Sequence, residues 1–133
     1  MGLVFVTNSS ALGPEEVEGR QPVARIAFGG TYFFLYPAIQ RLREETGQLI
    51  DPQRNAFFSG SALDQLQAFL VAAQASSASQ PEAWEQRVGV RGANNDVIRQ
   101  TTTRHQVLQL LNDLIAAVQS ARDRQMGVLF WGE

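Results

Sequence analysis

The chain has 133 residues, 44% of them apolar and 18% charged, with eleven basic residues, thirteen acids and one histidine for a net charge of −2. All eleven basic residues are arginine and there is no cysteine, so a Schiff base, a P-loop lysine, a thiolate nucleophile and a cysteine-ligated metal are excluded. One imidazole cannot build a multi-histidine zinc site, and arginines scattered from Arg20 to Arg124 without a basic stripe argue against nucleic-acid binding.

Leu3 to Val6 is a continuous apolar run that reads as a buried strand. It is too short for a secretory leader, and no window reaches the roughly 20 apolar residues of a membrane span, so a cytoplasmic location is expected. Residues 7–22, with Gly13-Pro14, Gly19, Glu15, Glu16 and Glu18, read as a solvated loop. Val23 to Phe28 is a second strand, stopped by Gly29-Gly30.

A helix follows, with Leu35, Ile39 and Leu42 on one face and Arg41, Arg43, Glu44 and Glu45 opposite. Pro37 suits its first turn; a start at Thr31 would instead place the proline inside the helix and kink it. Gly47 is the expected C-cap. Gln48 to Asp51 reads as a short strand before Pro52. Ser61 with Asp64 three residues later has the form of a capping box, opening a helix that keeps Leu63, Leu66, Phe69, Leu70 and Ala73 on one stripe to about Ser76.

Residues 75–81 read as a loop, and Trp84, Gln86, Val88 and Val90 alternate like a strand with one wetter face. Gly92-Ala-Asn-Asn-Asp96 turns the chain. Thr103 and Gln106 form a second capping box, opening the strongest helix, through about Gln125. Its apolar set is Val107, Leu108, Leu110, Leu111, Leu114, Ile115 and Val118. Gly127 is expected to end it, and Val128 to Trp131 forms a strand apolar on both faces. The first and last strands, being the most continuously apolar, are expected in the interior of the sheet and next to each other.

No spacing announces a reaction. His105 sits in the first turn of the last helix without a Ser or Asp at triad spacing, and reads as a surface or capping residue. Gly29-Gly30-Thr31 lies between strand and helix, where backbone N–H groups can hold an anion, but the further glycines of a dinucleotide site are missing. The pairs Glu15/Glu16 and Glu44/Glu45 are neighbours that diverge, while Asp51, Asp64 and Asp96 lie at loops or caps. Ser59-Gly60-Ser61 lacks the flanking glycines of a nucleophile elbow. Tyr and Trp join an apolar body to a polar tip, which suits interfaces; the interaction candidates are Tyr32, Tyr36, Phe57, Phe58 and Trp84.

The order Tyr32-Phe-Phe-Leu-Tyr-Pro37, Glu45-Thr-Gly47 with Ile50-Asp51, Phe58-Ser-Gly60, then Gln80-Pro81 and Trp84 resembles small uncharacterised bacterial proteins over roughly residues 28–90. The resemblance implies an origin among mobile gene cassettes or toxin–immunity loci, and carries no catalytic residues with it.

The expected architecture is one α+β domain over residues 1–133, with three helices on a mixed sheet of about four to five strands and a strand–helix–strand unit after residue 84. The expected function is a non-enzymatic protein-interaction or self-associating domain, immunity-like, needing no cofactor and no metal, with a protein or a second copy as partner. The alternative is a small-molecule-binding domain or metal-independent hydrolase, with tyrosine, arginine and aspartate around a pocket near residues 28–36.

Overall fold

The computed structural model describes residues 3–9 and 23–132. In chain order they form β1 (Leu3–Ser9), β2 (Ala24–Ala27), α1 (Gly30–Thr46), β3 (Ala56–Phe58), α2 (Ser61–Ser77), β4 (Ala83–Arg91), β5 (Asp96–Thr103), α3 (Arg104–Asp123) and β6 (Gly127–Gly132). The architecture is α+β.

Side chains alternate across a strand, so a single register decides which face of a sheet is buried. One row runs across four strands as Ala24, Val6, Phe130 and Ala56, each buried and each opposite the next. Val4 and Ile26 extend it on one side, Val128 and Phe58 on the other. These residues face the helices. Val107, Leu111, Leu114 and Val118 of α3 recur at helical spacing and are all buried with them, as are Leu63, Leu66 and Leu70 of α2 and Leu35, Ile39 and Leu42 of α1. Each fully buried aliphatic side chain contributes about 1.5–3 kcal/mol before conformational entropy is subtracted.

The sheet order is β2-β1-β6-β3, with the first and last strands paired at its centre, and every pairing is antiparallel. Residues alternating with the core row lie on the second face, where Thr7, Leu129 and Phe57 stand opposite one another in sequence across three strands. Thr7 and Leu129 are buried there, so β6 is enclosed on both faces, as its unbroken apolar run implies.

β4 and β5 form a separate two-stranded antiparallel sheet, which α1 contacts. The expected mixed sheet is therefore two antiparallel ones. The reason is the turn at residues 92–95, where Gly92 and Asn95 take left-handed backbone conformations (φ 80° and 55°) and fold β5 back on β4. Chain direction is thus spent on a hairpin, and α3 carries the chain from one sheet to the other. The expected C-terminal strand–helix–strand unit forms as β5–α3–β6, with its two strands in different sheets.

Other boundaries also move. β1 continues through Ser9, and the remainder of the expected 7–22 loop, with Glu15, Glu16 and Glu18, lies outside the described residues. Residues 48–51 carry no strand; β3 forms at Ala56–Phe58 instead. α1 starts at Gly30, which puts Pro37 inside the helix. The N-cap of α2 is Gly60, at φ 55°, with no side-chain cap; Ser61 is already helical and Asp64 pairs with Arg122 of α3 at 2.5 Å. α3 ends at Asp123, before Gly127, where Gln125 turns left-handed and Met126 N–H donates to Ala121 C=O. The Thr103–Gln106 capping box and the Gly47 C-cap form as expected. Among the described residues no helix is long and apolar enough to cross a membrane.

Candidate functional site

The aromatic candidates do not form one surface. Tyr32 is 1% exposed; its hydroxyl donates to Ile50 C=O at 2.8 Å. Burial, then the negative charge of Asp51, then Tyr36 push its phenol well above the ordinary tyrosine range, so it stays a neutral donor facing the core. Phe58 is fully buried, edge-on to Phe130 at 5.5 Å. Neither offers area to a partner. The ring of half-buried Tyr36 lies 5.7 Å from that of Tyr32, tilted 48° to it, and its hydroxyl accepts from Gln40 Nε2. Phe57 is half-buried on the second face of the sheet, its ring over Gly127. Trp84, in the hairpin, lies 4.9 Å from Phe34 and donates to Gln86 Oε1 at 3.1 Å.

His105 is exposed in the first turn of α3. Asp51 accepts from Gln53 N–H in a local turn, and Asp96 stands opposite Arg91 at the hairpin turn. Among the described residues no three of His, Cys, Asp and Glu gather where they could hold a metal ion.

The structure instead places a cleft of about 550 Å³ at the Gly29-Gly30-Thr31 turn. One wall is Arg25, Ile26 and Ala27 of β2; the other is Gln100, Thr101 and Thr102 of β5; Gln106 and Leu110 of α3 also line it. Alternate strand residues point to opposite faces, so three consecutive residues line one cleft only along a strand's edge. β2 is the end strand of the four-stranded sheet and β5 is unpaired on the side away from β4. The cleft therefore lies between two free strand edges.

The turn holds these edges in place. Gly30 N–H donates to the Gln100 side-chain oxygen, and Gly29 N–H donates to Ala27 C=O at 2.9 Å. A Cβ on Gly30 would sit 1.9 Å from Thr102 Oγ1, so only glycine lets β5 approach this closely. Thr102 is 1% exposed, while Phe28 is 43% exposed. The N-cap residue Gly29 has no side chain to cap α1 and its first turn holds no acidic residue, so apart from the Gln100 oxygen its positive dipole end faces this region beside Arg25.

A second exposed feature is the cross-strand pair Val90–Val97 on the β4–β5 hairpin, 46% and 41% exposed. β5 forms where no strand is expected from the sequence. Its one signal is composition: Val97, Ile98, Thr101, Thr102 and Thr103 are β-branched and follow an Asn-Asn-Asp turn.

Comparison of the chain with protein-family models, with curated proteins and with solved structures found no match.

Proposed function

We propose that the chain is a non-enzymatic interaction protein that holds an extended segment of a partner polypeptide by strand addition in the cleft between β2 and β5. The observation that carries this reading is the pair of free strand edges lining one cleft. Unpaired strand N–H and C=O groups bind an added strand through its main chain, and neighbouring side chains set its preference. Arg25 and the positive end of α1 favour a segment bearing carboxylates. Four residues, the length of β2, pair over about 13 Å at roughly 3.3 Å per residue. An immunity-like role, in which the protein occupies one partner chain, fits the same surface.

Selection from a random dodecapeptide library tests the proposal. Recovered peptides are expected to slow amide exchange at Arg25–Ala27 and Gln100–Thr102. They are also expected to lose at least about tenfold in affinity on Ala27→Trp, which fills the cleft from an exposed position. Recovered peptides that bind the variant equally well would sink the reading, as would a library that yields none.

The Val90–Val97 pair favours a second reading, self-association through the hairpin. A two-stranded ribbon is marginal alone and gains from an apolar face being covered. Light scattering across a hundredfold concentration range is expected to show a mass increase that Val97→Lys abolishes; a constant monomer mass refutes it.

A further inference from the structure

The strand-edge cleft has two chemically different sides. Ile26 stands opposite Val4 in the core row and faces the helices. Phe28 keeps 43% of its surface exposed while its ring lies 5.1 Å from Tyr32 and 4.9 Å from Phe33 of α1. Leu110 of α3, half-buried against the core, completes this apolar side. Arg25 and Ala27 alternate with Ile26 along β2 and are exposed on the other side, as is Thr101 of β5. Among the described residues no acid lines the cleft.

Side chains of an extended segment point alternately to its two faces. A segment lying between β2 and β5 therefore sends every second side chain toward Ile26, Phe28 and Leu110, and those between them toward Arg25 and Thr101. β2 spans four residues, which leaves room for two inward side chains. Main-chain pairing is indifferent to sequence, so discrimination falls to these alternate positions. Building on the strand-addition reading, we propose that the cleft selects a partner segment with a period of two, aliphatic at positions i and i+2 and acidic at i+1. The aliphatic pair covers Phe28 and Leu110, and the acid stands on the Arg25 side. A segment with adjacent aliphatic residues leaves one of them in water, and an acid turned inward loses its hydration against an apolar wall.

The probes are two peptides of one composition and one charge, Ac-Ser-Glu-Val-Glu-Val-Glu-Ser-NH2 and Ac-Ser-Glu-Glu-Val-Val-Glu-Ser-NH2. Each is titrated into the full chain and followed by backbone amide shifts and amide exchange. Both are expected to slow exchange at Arg25–Ala27 and Gln100–Thr102, with the alternating peptide bound at least about fivefold tighter. Phe28→Gln and Leu110→Gln should each narrow that ratio, read on protein whose thermal melt stays cooperative; the wild-type ratio decides even where a variant does not fold. Equal affinities, tighter binding of the peptide with adjacent valines, or a ratio unchanged in both folded variants would overturn the proposal. In those cases the protected edges leave strand addition standing. Edges that neither peptide protects would overturn strand addition and the preference together.

Discussion

Tyr32 shows how one buried side chain sets the chain's response to alkali. Its phenol is held above the ordinary range by burial, by Asp51 and by Tyr36. The unfolded chain releases this proton near pH 10, while the folded chain keeps it, so above that pH the native state binds more protons and stability falls as pH rises. The slope from this single group is about 1.4 kcal/mol per pH unit. With no lysine in the sequence, the only other tyrosine is Tyr36, so the limb is unusually easy to read. Urea midpoints between pH 8 and 11 should decline above pH 10 in the wild type, and Tyr32→Phe should flatten the decline; an unchanged limb would refute the assignment. Gly30→Ala is a second test at this scale. Its new Cβ meets Thr102 Oγ1, and the variant should be destabilised by about 1–3 kcal/mol in urea melts.

What could be read at this scale depended on whether neighbours in sequence were neighbours in structure. The Thr103–Gln106 box is local and closes within three residues. Ser61 looked equivalent, but Gly60 takes the cap with a backbone that a serine resists, which frees Asp64 to reach across to Arg122. The interaction candidates failed to gather because Phe57 and Phe58, adjacent in sequence, necessarily face opposite sides of β3.

Among the elements, α1 carries a proline where an N–H would otherwise bond to Phe33 C=O. Pro37 is exposed, so Pro37→Ala restores a donor without disturbing the core, and should raise the melting temperature, with a gain of up to about 3 kcal/mol less the added freedom of the unfolded chain. In contrast, the Asp64–Arg122 pair is largely in solvent, and Arg122→Ala should cost no more than about 1 kcal/mol by the same melt. Leu111 lies at the centre of the α3 stripe and is fully buried; Leu111→Ala should cost about 2–5 kcal/mol, and a near-native melt would contradict its placement in the core. Helices were legible because their apolar stripes repeat every turn, with Val107, Leu111, Leu114 and Val118 the clearest case. β5 was not, because Arg99, Gln100 and Thr101 give neither alternation nor a hydrophobic run. Its burial is limited to Thr102, and pairing with β4 supplies what its side chains do not.

Across the whole molecule, the α+β class and the central position of β1 and β6 followed from composition and from two unbroken apolar runs. The division into two sheets did not, because strand direction depends on where a hairpin turns rather than on how apolar each strand is. The candidate cleft was illegible for a related reason. Arg25 to Ala27 and Gln100 to Thr102 lie far apart in sequence, and neither triplet carries a motif. Only the Gly29-Gly30 turn beside them stood out.

The pairing of Thr7 with Leu129 and Val6 with Phe130 also has a consequence for biogenesis. Contacts this distant in sequence close late and slow the search for the native state. During translation, the segment that will become β1 leaves the ribosome long before β6 exists to flank it. Until then, the helices have no finished sheet to settle on, and the nascent polypeptide displays oily surface to whatever chaperones attend it.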